Sequence, residues 1–154
     1  MGTIAALLNE LGITLPTPAK PVANYVPYTV SGNLVFISGQ VPYGPDGLEY
    51  QGKVGADLTT EDGMAAARLC AINILAQLHA ALDGDLERVV RCLKLGGFVN
   101  AVPDFADHPA VINGASNLMV EVFGDRGRHA RFAVGAGSLP LNVAVEVDAI
   151  FEVR

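Results

Sequence analysis

The stretch ARFAVGAGSLPLNVAVEVD, residues 130–148, contains two apolar, strand-like runs separated by a Ser-Leu-Pro-Leu-Asn turn. Each run carries one charged residue, Arg131 in the first and Glu146 in the second. Because side chains alternate across a strand, Arg131 shares its face with small residues only. These are Ala133, Gly135 and Gly137. Such a face leaves room above it, and the pattern fits either a surface arginine on an edge strand or a binding site for an anion.

Glu146 lies in a strand whose other face is entirely apolar. It shares its own face with Ala144, Asp148 and Ile150. The charged form of a carboxyl group among apolar neighbours is disfavoured unless a donor or cation is near, and this suits proton transfer near neutral pH. A residue at the rim of the sheet, or one partner of an intersubunit ion pair, fits the pattern equally well.

The composition bounds the class of protein. The chain has 154 residues, of which 51% are hydrophobic and 17% charged, which suits a single domain with more apolar surface than a monomer needs. It has no run of 18 apolar residues, which argues against a membrane span. The net charge of −6, with scattered basic residues, argues against a nucleic-acid partner. The surplus apolar surface is expected to face other subunits.

No metal or cofactor site is predicted. Cys70 and Cys92 lack the spacing of metal ligands, and we predict that they are reduced core residues of a cytoplasmic protein. His79 and His108 stand alone, so a structural or surface role is expected for each. The first residues lack the basic region of a signal peptide. Neither a phosphate-binding loop nor a dinucleotide-binding motif is present.

Helical and strand patterns alternate along the chain. We predict, in order, a short helix capped by Thr3 and running through Leu11, a proline-rich extended connector at 15–21, a hairpin formed by Tyr25–Val30 and Leu34–Ser38, a helix at 60–83 capped by Thr59, a strand at Val89–Asn100, a helix from Asp104 or Asp107 to Phe123, and the two strands of the opening stretch. Gly96 and Gly97 predict a bulge or a close approach inside the long strand.

This order predicts an α+β fold in which two main helices cover one face of a sheet. The strands carry apolar residues on both of their faces. These residues include Leu34, Phe36, Leu93, Leu95, Val145 and Val147. Something must cover the face that the helices leave open, and oligomerisation is the simplest solution.

Three segments together resemble the RidA/YjgF family of enamine and imine deaminases, formerly called endoribonuclease L-PSP. They are GNLVFISGQVP at 32–42, DLERVVRCLKL at 85–95, and the final strands, where Arg131 stands eight residues before Leu139-Pro140 and VEV follows at 145–147. The resemblance covers Tyr25 to Val153. It predicts one RidA/YjgF-like domain, residues 1–154, with residues 1–22 as an N-terminal extension.

The resemblance implies a chorismate-mutase-like fold with a mixed sheet and two helices on one face, assembled as a homotrimer. It also implies cofactor-free hydrolysis of 2-imino and 2-enamino acids to 2-keto acids and ammonia, in clefts between subunits. A trimer that binds small carboxylates without turnover is the alternative from another functional class. The older ribonuclease label finds no support in the acidic composition.

By resemblance, Arg131 matches the arginine that binds the substrate carboxylate, and Glu146 matches the acid that positions and activates water. Gly39 and Ala133 match positions whose backbone groups contact the ligand. Tyr25 matches the aromatic residue at the mouth of the cleft.

The chain departs from the family pattern at three places. Ala133 stands where the best-known members often have cysteine, so no thiol is available there. The asparagine of the second helix is Asn113 or Asn117, because the intervening segment aligns only with a gap. Asn24 precedes Tyr25 in place of Gly-Pro. These departures bear on the choice of substrate more than on the fold.

Overall fold

The computed structural model describes residues 3–18 and 23–154. Its helices and strands are α1 Thr3–Glu10, β1 Tyr28–Ser31, β2 Leu34–Gln40, β3 Tyr43–Gly44, β4 Gly47–Leu48, α2 Thr60–Ala81, β5 Val89–Asn100, α3 His108–Phe123, β6 Ala130–Ala136 and β7 Val145–Val153. The predicted order of elements is confirmed. The predicted connector at 15–21 lies partly outside the described residues, and so do residues 1–2 and 19–22 of the predicted N-terminal extension.

Five strands form one mixed sheet in the order β1-β2-β7-β5-β6. All neighbours are antiparallel except β5 and β6, which are parallel. The strands of the opening stretch, β6 and β7, therefore do not pair with each other; β5 lies between them. The predicted mixed α+β fold is confirmed. The short strands β3 and β4 form a separate hairpin at the Pro-Asp-Gly turn.

The capping of α2 follows the prediction. The side chain of Thr59 accepts a hydrogen bond from the backbone N–H of Asp62, and the Asp62 side chain accepts one from the backbone N–H of Thr59. This reciprocal capping box satisfies two backbone donors that the first turn leaves unpaired. The helix ends at Ala81, two residues earlier than predicted, and Gly84 follows with a positive φ of 87°.

The helix α2 is buried on a wide face, because it packs against both the sheet and α3. Ala66, Cys70 and Ile74 on this face are fully buried. Within the described residues α2 is the one helix long and apolar enough to cross a membrane, but 56% of its most apolar window is buried inside the fold. A core helix of a soluble protein passes the same test.

The first helix packs against α3 and contributes Ile4 and Leu8 to the core. Its N-terminus is capped from a distance, since the backbone N–H of Ile4 donates to a carboxylate oxygen of Glu87 at 2.8 Å. Thr3, expected to be the cap, is instead the first helical residue, and its hydroxyl donates to Glu87. The cap therefore comes from a residue 83 positions away in the chain.

The two faces of the sheet differ sharply in burial. In β7 the residues Val145, Val147, Ala149, Phe151 and Val153 are buried beneath the helices, and the residues between them are not. On the opposite face, which we call the open face, Phe36, Phe98 and Val134 keep 38–42% of their surface exposed. The uncovered apolar face that the sequence predicts is present in the single chain.

Gly96 and Gly97 are points of close approach. A Cβ on Gly96 would lie 2.6 Å from the ring of Phe132, and a Cβ on Gly97 would lie 2.6 Å from Ile112 of α3. The bulges of β5 lie nearer its start, between Val89 and Arg91 and between Cys92 and Lys94. Of the two roles predicted for the glycine pair, close approach is therefore the one that the structure shows.

Candidate functional site

The Ser-Gly-Gln segment at the end of β2 forms a β-bulge. Ile37 pairs with Ala149 and Gln40 pairs with Val147, so two residues of β2, Ser38 and Gly39, stand opposite one residue of β7. The bulge is held on both sides. The Ser38 hydroxyl donates to the carbonyl oxygen of Pro27 at 3.0 Å, and the Gln40 amide donates to the carbonyl of Ser38 at 3.0 Å. A bulge held in this way fixes where Gly39 lies.

The carboxyl group of Glu146 lies against Gly39. A Cβ on Gly39 would come within 2.9 Å of the carboxyl carbon of Glu146, closer than real Cβ atoms approach. Glu146 is half-buried on the open face. Burial raises the pKa of Glu146 above its ordinary value, and the neighbouring carboxylate of Asp148 raises it further. The group is thereby better suited to give and take a proton near neutral pH.

A pocket of about 400 Å³ lies beside the bulge. Tyr25, with 56% of its surface exposed, and Gly39 both line it. Asn73 of α2, which also lines the pocket, is buried and donates to the carbonyls of Val41 and Tyr43 at 2.9 and 3.0 Å. Gly39 lines the pocket together with Tyr25 and also contacts Glu146, which lies on the open face and is not among the lining residues. We call Gly39 and Glu146 the bulge half-site.

Arg131 lies on the other face of the sheet, against α3. It pairs with Leu95, which is fully buried beneath the helices. Its guanidinium donates from Nη1 to the hydroxyl of Ser116 at 3.0 Å and from Nη2 to the carbonyl of Pro109 at 3.3 Å. Ala133 pairs with Gly97 on the same face, two residues farther along β6. Arg131 and Ala133, together with Ser116 and His129, form what we call the edge half-site.

The two half-sites are separated by the sheet itself. Glu146 pairs with Phe98 of β5, and Arg131 pairs with Leu95 of the same strand. Residues three apart on a strand point to opposite faces. Within one chain, the predicted carboxylate-binding arginine and the predicted acid therefore do not meet.

The room expected above the small residues of β6 is partly occupied. The imidazole of His108 lies over Gly135, where a Cβ would come within 2.7 Å of Nε2. No atom of the described residues lies within 4 Å of the Cβ position of Gly137. Free space next to Arg131 is thus limited on the side toward His108, which packs edge-on against Phe105.

Sequence reasoning missed Ser116. Ser116 stands between the two candidate asparagines, Asn113 and Asn117, which are both exposed on α3. It is Ser116 that contacts Arg131. His129 is bonded through both ring nitrogens, to Ser116 and to the carbonyl of Gly127. In the sequence, Ser116 is next to the exposed Asn117 on α3 and carries no signal of its own. Its contact with Arg131 becomes visible only once β6 is placed beside the helix.

No group of three His, Cys, Asp or Glu side chains that could hold a metal ion is found among residues 3–18 and 23–154. Both cysteines are free and buried. Burial raises the pKa of the Cys92 thiol to about 12 and raises that of Cys70 as well. Neither thiol is available as a nucleophile near neutral pH.

Comparison with known proteins gives consistent matches over nearly the whole chain. The family described as "YjgF/chorismate_mutase-like, putative endoribonuclease" matches residues 5–153, so the match includes α1. Protein TCP17 of Trypanosoma cruzi is 50% identical over 154 residues, which cover 99% of this chain and 96% of that protein. The crystal structure of protein Atu1372 from Agrobacterium tumefaciens is 52% identical, with a TM-score of 0.93, and covers 98% of this chain and 92% of that one. The YjgF gene product of E. coli is 27% identical, with a TM-score of 0.62, over 90% of this chain and 94% of that one.

Proposed function

This chain belongs to the YjgF/RidA family, and on that basis we propose that it hydrolyses reactive 2-imino and 2-enamino acids to 2-keto acids and ammonia. The observation that carries the proposal is the position of Glu146. Its half-buried carboxyl group lies against the Gly39 bulge on the open face, and burial raises its pKa. A carboxyl group in such a setting is a candidate for general acid–base catalysis.

The reaction needs little machinery. Water adds to the C=N carbon of the protonated imine, and Glu146 accepts a proton from that water as the C–O bond forms, which gives a neutral carbinolamine. Glu146 then gives the proton to the amino nitrogen of the carbinolamine. The C–N bond breaks, ammonia leaves with the bonding electron pair, and the hydroxyl proton passes to solvent to give the keto acid. An enamine substrate first takes a proton at carbon to become the protonated imine. No electron is gained or lost, and water is the only co-reactant.

Arg131 is proposed to bind the substrate carboxylate. A guanidinium offers five N–H donors in a planar fork that matches a carboxylate. Two of its nitrogens are engaged by Ser116 and Pro109. The remaining N–H groups are left for a ligand that approaches the edge of β6.

The proposal requires two copies of the chain for each site. The bulge half-site and the edge half-site lie on opposite faces of one sheet, so a single substrate can touch both only when each comes from a different subunit. The open face is apolar at Phe36, Phe98 and Val134, which supports its burial in an assembly. We propose a homotrimer with such a cleft between each pair of neighbouring subunits.

A trimer that binds small carboxylates without turnover is the second candidate. Arg131 would bind the carboxylate in this case as well, and Glu146 would not need to transfer a proton. Ribonuclease activity, named in the description of the matching family, has less support. The chain carries 10 basic against 16 acidic residues, whereas phosphate-backbone binding rests on clustered lysine and arginine.

The decisive experiment generates the imine in place with an amino-acid oxidase and follows its loss with and without this protein. Faster conversion to keto acid by the wild type, and not by Glu146→Gln, supports the enzyme. If neither accelerates the reaction while calorimetry shows that both bind a 2-keto acid, the protein is the non-catalytic binder. Running the assay with several amino acids identifies the preferred substrate.

A further inference from the structure

A continuous chain of hydrogen bonds runs from Arg131 into the fold. Arg131 Nη1 donates to Ser116 Oγ at 3.0 Å, Ser116 Oγ lies 2.8 Å from His129 Nε2, and His129 Nδ1 lies 2.6 Å from the carbonyl oxygen of Gly127. The three residues that partner this chain come from different elements. Ser116 lies in the middle of α3, His129 immediately precedes β6, and Gly127 is the last residue of a 3₁₀ turn that begins at Gly124.

Chemistry assigns the direction of every bond in this chain. The carbonyl oxygen of Gly127 can only accept, so Nδ1 of His129 must carry a hydrogen. Burial lowers the pKa of His129 below its ordinary value; the hydrogen bond to the Gly127 carbonyl opposes this, and the charges of Arg131 and Arg91 add to the lowering, so the neutral ring is favoured near pH 7. Nε2 is then an acceptor. The Ser116 hydroxyl donates to it, which leaves the oxygen lone pairs of Ser116 to accept from Arg131.

This arrangement bears on how Arg131 binds a ligand. A free arginine side chain carries about 2 kcal/mol of rotamer entropy, part of which is lost when the guanidinium is held for a carboxylate. A hydroxyl whose own hydrogen is committed to His129 presents a lone pair in a fixed direction. The guanidinium therefore has two defined partners on α3, the Ser116 hydroxyl and the Pro109 carbonyl, before any ligand is present.

We propose that Ser116 and His129 are positioning residues that hold the Arg131 guanidinium ready for the carboxylate of the ligand. The inference rests on the proposed function in one respect, namely that Arg131 binds a carboxylate. Ser116 and His129 act through Arg131 and need not touch the substrate.

The test measures 2-keto acid binding by calorimetry, and KM and kcat in the imine assay, for Ser116→Ala and Ser116→Thr. Hydrogen bonds to charged groups are the stronger ones, so Ser116→Ala is expected to weaken keto-acid binding and raise KM by about tenfold, with kcat changed much less. Ser116→Thr keeps the hydroxyl and should restore binding to near the wild-type value. His129→Ala should resemble Ser116→Ala, because the hydroxyl loses its fixed direction.

A control on the same helix is Glu121→Ala. This change removes an exposed ion pair with Arg68, 3.1 Å long, which shares no residue with the hydrogen-bond chain of Arg131, and should leave binding unchanged. In an Arg131→Ala background, measured at high ligand concentration, Ser116→Ala should have no further effect, since its action passes through the guanidinium. Melting temperature and oligomeric state are recorded for every variant.

The outcomes separate the two proposals. If Arg131→Ala binds keto acid as tightly as the wild type, the carboxylate role of Arg131 in the proposed function is wrong. If Arg131→Ala loses binding but Ser116→Ala does not, only the positioning role is wrong. If Ser116→Ala and Ser116→Thr lose binding equally, or if Ser116→Ala weakens binding further in the Arg131→Ala background, the hydroxyl does not act through Arg131 and the inference also falls.

Discussion

The carboxyl group of Glu146 occupies the space that a side chain at position 39 would fill. Gly39 stands in the bulge of β2, and its Cα faces the carboxyl carbon of Glu146, so that an added Cβ would lie only 2.9 Å from that carbon. A glycine is required here for reasons of space, since its φ is not in the left-handed region. The pairing links the Ser-Gly-Gln segment to the final strand.

Replacing Gly39 by alanine should move the Glu146 carboxyl group and slow deamination about tenfold or more, because general acid–base groups contribute about 10²–10⁴ in rate when correctly placed. The fold should survive, since the displaced atoms are the end of a flexible side chain. Gly137→Ala is the matched control, with no atom within 4 Å of its Cβ position. Equal deamination rates for the two variants in the imine assay would show that turnover does not depend on how Gly39 places the Glu146 carboxyl group.

Glu146→Gln should slow deamination by about 10²–10⁴ while keto-acid affinity changes little. The amide keeps the size of the side chain and can form hydrogen bonds, but it cannot carry the proton. Steady-state rates and calorimetry on the same preparation measure both quantities. Wild-type turnover by this variant would leave Glu146 with a structural role only.

Stability should depend on pH through Glu146, with a definite sign. Its pKa is raised in the folded chain from the ordinary 4.5, so the folded protein binds this proton more tightly than the unfolded chain does. The stabilisation is therefore complete below the unfolded pKa and is lost as pH rises through the raised folded pKa. Glu146→Gln should be more stable than the wild type at pH 7, and the difference should shrink below about pH 4.

Denaturant unfolding between pH 4 and pH 7 measures this difference. Asp148→Asn offers a second case, because burial also raises the pKa of Asp148 and the sign is the same. A Glu146→Gln variant that becomes relatively less stable as pH rises would contradict the assignment of Glu146 to a desolvated position.

Arg131→Ala should weaken keto-acid binding by about 2–5 kcal/mol, as is typical when one partner of a desolvated charge pair is removed. Arg131→Lys should fail substantially too, because an ammonium group keeps the charge and loses the planar fork. Stability and oligomeric state should change little, since Arg131 is only half-buried at the sheet edge. Calorimetry with sedimentation analysis tests all three statements, and wild-type affinity in Arg131→Ala would refute the first.

Gly114→Ala should destabilise the fold by about 1–3 kcal/mol through overpacking. Gly114 lies where α3 crosses α2, and an added Cβ would collide with the backbone carbonyl of Met64. Backbone cannot move aside as a side chain can, so the two helices must separate. Asn117→Ala, at an exposed position of the same helix, should change stability by less than about 0.5 kcal/mol. Similar denaturation midpoints for the two variants would contradict the close crossing of α2 and α3.

Much of the architecture could be predicted because local chemistry specifies it. The capping box of Thr59 and Asp62 lies within four residues, and the alternation of β7 separates its buried valines from Glu146 and Asp148 without reference to other strands. The need to cover a second apolar face is also visible in these alternating patterns. The cap of α1 was not predictable, because Glu87 reaches Ile4 from a distant part of the chain.

The site itself depends on strand order, which alternation does not encode. Period two tells which residues of one strand share a face, and so Arg131 with Ala133, and Glu146 with Asp148, were grouped correctly. It does not tell which face of the sheet each group occupies. That depends on β5 lying between β6 and β7, parallel to one and antiparallel to the other. Because Arg131 pairs with Leu95 and Glu146 pairs with Phe98, Arg131 faces the helices and Glu146 faces the open side. These opposite orientations are fixed only when all three strands are hydrogen-bonded together.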